Sequence, residues 1–167
     1  MKDAKYWIDK LAMKKHPEGG YYRETYRSEE IILSNCLPER YLGNRHYSTA
    51  IYFLIPERDF SAFRRLKTDE IWHFYAGCSL TLHLIDLAGK YWLVKLGQNW
   101  EQKETFQVVV KAGYWCSATL NNSASYALIG CTVAPGFDFQ DFELGQREDL
   151  IKLYPNHRSI IEKLTRK

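Results

Sequence analysis

At 167 residues the chain has the length of one domain, residues 1–167, and a chain of this size buries about 70% of the surface its unfolded form exposes, so it needs no disulfide staples. The net charge of +3 is small, and Arg64, Arg65 and Lys67 stand beside Asp69 and Glu70 rather than in a one-sign stripe, which excludes a phosphate-tracking nucleic-acid surface. Aromatic residues make up 15% of the chain, favouring β-structure and wide side chains that can line a cavity.

Cys36, Cys78, Cys116 and Cys131 fall at wide, irregular spacings with no CxxC and no histidine at a zinc-finger interval. They are expected to be free thiols in a reducing compartment. The N-terminal MKDAKYWIDKLAMKK mixes charge with apolar residues and forms no signal-peptide core, and the run Ala50 to Ile55 is too short to cross a bilayer. The expectation is a soluble cytoplasmic protein without a membrane partner.

Asp3 can cap a short helix in which Ala4, Trp7, Ile8 and Leu11 recur at helical spacing. His16 to Gly20 (HPEGG) has the composition of a tight turn, which also offers His16, Glu18 and free backbone N–H groups near a strand entry, and YYRETYRS follows as an alternating strand. The polar segment from Cys36 to His46 is expected to be a loop. Beyond it come eight short strands: Ser48 to Ile55, Phe60 to Leu66, Glu70 to Tyr75, Leu80 to Asp86, Tyr91 to Leu96, Thr105 to Val110, Tyr114 to Thr119 and Tyr126 to Val133. Turn signals separate them at intervals of about ten residues, the pattern of a sandwich or barrel. Arg147 to Tyr154 and Ser159 to Leu164 return to helical spacing, divided by Pro155, and predict two short terminal helices.

Strand periodicity then assigns faces. Glu70, Trp72 and Phe74 point one way, with Ile71, His73 and Tyr75 opposite. Arg64 shares a face with Phe60, Ala62 and Leu66. A hairpin between the Phe60 and Glu70 strands is expected to bring Arg64, Glu70 and Trp72 onto one mostly apolar face. Ser48 and Gln107 on flanking strands, with Trp115 and Cys116 from the strand after Gly113, complete the candidate ligand-binding set. His73 is expected to be a packed or interface residue.

The segment TDEIWHFYAG, with Glu70 ahead of the turn glycine Gly77, resembles the glutamate-and-glycine half of a cupin motif, and Gly113 matches the glycine of the second half. HPEGGYYRETYRS, STAIYFLI, LKTDEIWHFYAG and ALIGCTVAPGFDFQDFELG resemble, more closely, one cupin family of uncharacterised function, of the Cupin family 5 type. The resemblance covers nearly the whole chain. It implies an all-β fold, a double-stranded β-helix or jelly-roll barrel with a short N-terminal helix and two C-terminal ones, paired as a homodimer.

Departures from the general cupin pattern bear on chemistry. Where metal cupins place histidines, this chain has Arg64 (or Arg65, if the register shifts by one) and Leu66; Cys116 stands at the last histidine and Lys111 at the second motif's proline. Unit charges about 5 Å apart at an effective dielectric near 20 interact by roughly 3 kcal/mol, so a dication beside Arg64 would meet about twice that. The expectation is no metal and no cofactor, with Arg64 paired to Glu70 and available to a polar or anionic group. No GxSxG or GxxxxGK occurs.

The expected function is binding of a small polar or anionic metabolite, sugar-like in one version, in the barrel. The alternative is an isomerase or epimerase using Glu70 as proton acceptor, since YALIGCTVAPGFD is similar to a segment of sugar-nucleotide epimerases. A metal-dependent cupin enzyme is the weaker third reading.

Overall fold

The computed structural model describes residues 2–166. With strands numbered along the chain, one six-stranded sheet runs β1 (Lys14–Lys15), β2 (Tyr21–Arg27), β5 (Thr49–Ile55), β13 (Ala127–Val133), β7 (Glu70–Gly77) and β11 (Gln107–Val110). The second runs β10 (Glu104–Thr105), β9 (Tyr91–Leu96), β8 (Leu80–Ile85), β12 (Trp115–Leu120), β6 (Phe60–Leu66) and β14 (Phe142–Leu144). A two-stranded ladder of β3 (Ile31–Ile32) and β4 (Arg45–His46) lies apart. The helices are α1 (Ala4–Lys10), α2 (Arg147–Leu153) and α3 (Arg158–Lys163), where the sequence places them, and the Asp3 carboxylate caps α1 by accepting from the Tyr6 amide at 2.7 Å. None of the described helices is long and apolar enough to cross a membrane.

Alternation along the strands divides the apolar residues into three packed groups. Phe53, Ile55, Trp72, Leu82, Leu84, Ile129 and Cys131 fill the space between the sheets. The opposite face of the second sheet, with Phe63, Ile85 and Trp115, is covered by Leu150, Ile161 and Leu164 of the C-terminal segment. Leu54 and Leu128 on the outside of the first sheet pack against Ala4 and Met13.

The expected pairing of the Phe60 and Glu70 strands is not formed. β6 and β7 do not form a hairpin, because they belong to different sheets. The link between them is held by neighbouring loops: the Lys67 amide donates to Asp141 O at 3.1 Å, Thr68 Oγ1 meets the Tyr41 hydroxyl at 2.7 Å, and the Asp69 carboxylate accepts from the Ala112 amide at 2.8 Å. The chain thereby crosses from one sheet to the other. β11 and β12 are separated in the same way, and the strand expected from Thr105 to Val110 divides at Phe106, its first part joining β9 and its second joining β7. The loop expected from Cys36 to His46 ends in β4, whose Arg45 forms a bidentate buried ion pair with Asp141 at 2.7 Å for each bond. YYRETYR is not an outermost strand, although β1 covers only Tyr21 and Tyr22 of its free side.

His83 of β8 lies buried with Nδ1 2.8 Å from the Tyr91 hydroxyl and Nε2 3.0 Å from Thr119 Oγ1. Burial, with a smaller contribution from Lys163, lowers its pKa from 6.5 to about 4. Since the folded value lies below the unfolded one, the associated stability is complete above pH 6.5 and is lost as pH falls toward 4. Chemical unfolding between those limits should show a loss on the order of 3 kcal/mol that His83→Gln lacks; parallel pH profiles for the two proteins would contradict this.

Candidate functional site

The turn between β1 and β2 supplies residues that the candidate set drawn from sequence did not include. Gly19 and Gly20 take φ of +110° and +69°, and a Cβ at either would come within 2.4 or 2.5 Å of a carbonyl oxygen, of Phe60 and Leu54 respectively. Only glycine lets the turn press this closely onto β5 and β6. The Ala62 amide donates to Glu18 O at 2.8 Å, and the Glu18 side chain enters the barrel, where Oε1 accepts from Ser61 Oγ at 2.6 Å and Oε2 from Arg64 Nε at 3.2 Å.

Arg64 reaches from β6 toward the opposite sheet. Its Nη2 donates to Glu70 Oε2 on β7, which also accepts from Trp72 Nε1 at 2.7 Å, and the guanidinium lies 5.4 Å from the Trp72 ring centre. Burial alone would lower the Arg64 pKa, but Glu70 and then Glu18 outweigh it and hold the guanidinium protonated. Its third nitrogen, Nη1, is buried and has no hydrogen-bond partner among the described residues. Such a donor costs roughly 1–3 kcal/mol or more when left unmet.

Glu18, Arg64 and Glu70 stand in the wall of a cavity of about 40 Å³, room for about three waters. Phe53, Phe137, Phe142 and Tyr22 line much of the rest. His16 joins them with its ring 4.8 Å from Tyr22 and 5.6 Å from Phe142, its Nδ1 accepting from the Glu18 amide at 3.3 Å and lying 3.4 Å from Glu18 Oε2. Burial lowers its pKa against the opposing pull of Glu18. Cys131 of β13 also lines the cavity, and burial, then Glu70, raises its pKa well above 9.

Of the residues expected from sequence, Arg64, Glu70 and Trp72 come together, across the sheets rather than along a hairpin. Cys116 is buried as the cross-strand partner of Arg64, and burial pushes its thiol up to about 12. The other three lie elsewhere. Trp115 points to the opposite face of β12, under the C-terminal helices, with Arg65 stacked 4.6 Å from its ring. Gln107 Nε2 lies 3.0 Å from His73 Nδ1 on the outside of the first sheet, where His73 Nε2 also meets Thr132 Oγ1 at 2.9 Å. Ser48 Oγ donates to Val133 O at 3.1 Å. A period of two already sets Trp115 opposite Cys116, and Gln107 opposite Val108. The turn HPEGG and the aromatic run APGFDF carried the only signals for His16, Glu18 and Phe137.

Metal ligation does not suit this arrangement. Among the described residues no group of three or more His, Cys, Asp and Glu side chains converges as ligands would, and the Arg64 guanidinium already occupies Glu70.

Comparison with known proteins gives the lineage. The model of the family described as Cupin superfamily (DUF985) matches residues 5–145. The chain belongs to the DUF985 cupins. The uncharacterized protein YML079W of Saccharomyces cerevisiae is 30% identical over 147 residues, 83% of this chain and 73% of that protein. Among solved structures, protein SO0799 from Shewanella oneidensis superposes with a TM-score of 0.89 at 37% identity, and a hypothetical protein from Leishmania major with 0.87 at 33%, each over 99% of both chains. Oxalate decarboxylase of Bacillus subtilis, at 14% identity and a TM-score of 0.55 over 90% of this chain and 36% of that one, shares the cupin fold.

The thiols should differ sharply in reactivity. Cys36 is exposed, whereas Cys116 and Cys131 are buried and held protonated. Alkylation of the native protein near neutral pH should label Cys36 and reach Cys116 and Cys131 only on unfolding, as read by peptide mass spectrometry; rapid labelling of Cys131 would show the cavity more open than this.

Proposed function

We propose that this DUF985 cupin is a cytoplasmic protein that binds a small polar metabolite in the barrel without a metal ion. The supporting observation is Arg64 Nη1, a buried donor with no acceptor among the described residues, carried by a side chain in the wall of a partly apolar cavity. A ligand oxygen supplies the acceptor, Phe53, Phe137 and Phe142 supply apolar contact, and Glu18 and Glu70 accept from ligand hydroxyls. Elemental analysis and mass spectrometry of the denatured supernatant should find a stoichiometric small molecule and no stoichiometric transition metal. Glu70→Gln should keep the fold and weaken binding of that molecule at least about tenfold, or about 1.4 kcal/mol. A metal ion bound to Glu70 would contradict the proposal, as would a large drop in melting temperature with unchanged affinity.

A second reading, an isomerase or epimerase, draws support from the contact of His16 with Glu18. A carboxylate beside a neutral imidazole in a cavity wall suits proton transfer. Glu70 suits the role of base less well than the sequence suggested, because Arg64 and Trp72 both donate to its Oε2.

We also propose a homodimer. Ile71, Tyr75 and Val109 leave apolar surface exposed on the outside of the first sheet, and β2 beyond Tyr22 has no partner on its free side among the described residues. Sedimentation should give twice the chain mass at micromolar concentration; a monomer would refute this.

A further inference from the structure

Three charged side chains stand in the cavity wall, and their charges do not cancel. Counted by formal charge, Glu18 and Glu70 contribute two carboxylates against the one guanidinium of Arg64. The other lining residues are uncharged at neutral pH: His16 is kept neutral by burial, the Cys131 thiol is protonated, and Thr49, Tyr22 and the phenylalanines carry no charge. The wall therefore sums to one negative charge.

Two of the three Arg64 nitrogens are already engaged. Nε holds Glu18 and Nη2 holds Glu70, so a single nitrogen is left to serve a ligand. A carboxylate or phosphate entering here would be a third anion around one guanidinium, in a space where aromatic walls leave little water to screen the repulsion. A carbonyl or hydroxyl oxygen meets the Nη1 donor without adding charge. Hydroxyl groups on the same molecule can donate to the carboxylates, which have only lone pairs to offer.

We infer that the cavity selects an uncharged hydroxy-carbonyl or polyol compound and rejects its anionic counterpart, the second carboxylate, Glu18, being what excludes the anion. This deepens the reading of the cavity as a ligand site and depends on it. It also narrows the expectation drawn from sequence, in which Arg64 alone left an anionic ligand open.

Lactamide and lactate test the inference because they have nearly the same shape and differ by one charge. The indole N–H of Trp72, which donates to Glu70, is the reporter in a titration followed by nuclear magnetic resonance, its signal assigned by its loss in Trp72→Phe. Lactamide should shift the signal at a concentration at least about tenfold lower than lactate does. Glu18→Gln, which removes one negative charge, should close most of that gap; if it fails to fold, Glu70→Gln makes the same change in charge. Lactate binding as tightly as lactamide, or a gap unchanged in a folded charge-reduced variant, would overturn the selectivity while leaving the ligand site standing. If neither compound moves the signal, the cavity is not a ligand site of this kind and the inference falls with it.

Discussion

One buried guanidinium joins the two sheets and a turn 46 residues away in the chain. Arg64 leaves the second sheet, meets Glu70 on the first and holds Glu18 from the turn that opens the first sheet's outer strands. Buried ion pairs give little net stability compared with apolar packing, because desolvation offsets most of their attraction. Their effect is on arrangement. With Glu18 and Glu70 fixed to one guanidinium, the sheets are set at the separation that leaves a cavity between Phe53 and Phe142 instead of closing over it.

The strands were legible because their alternation is strong and their turns are well marked. Their partners were less so. Lys67, Thr68 and Asp69 have the length of a hairpin turn, and nothing local shows that Tyr41, Ala112 and Asp141 will hold them as a crossing between sheets. Faces survived this error because side-chain direction depends on period alone, so Arg64, Glu70 and Trp72 still converge. Glu18 and His16 were hidden by the opposite problem. Their composition marks a turn, and only the approach of Gly19 and Gly20 to neighbouring carbonyls, a tertiary fact, turns their side chains inward. Arg45 and Asp141, which anchor the segment leading to Phe142, lie 96 residues apart and carry no pairing signal.

The Glu70 carboxylate is paired with the Arg64 guanidinium, whose Nη1 has no hydrogen-bond partner among the described residues. On the proposed reading, such a centre orients a ligand through hydrogen bonds. The apolar wall formed by Phe137 and Phe142 lowers competition from water, and the same burial keeps Cys116 and Cys131 protonated and chemically quiet.

The most direct test of this account compares Arg64→Met with the triple variant Arg64→Met, Glu18→Gln, Glu70→Gln by urea unfolding at neutral pH. Removing only the guanidinium should strand two carboxylates and cost about 3–5 kcal/mol, most of which the neutral triple variant should regain. A single variant as stable as the parent, or a triple variant no more stable than the single, would show that Arg64 is not the centre that the two carboxylates require.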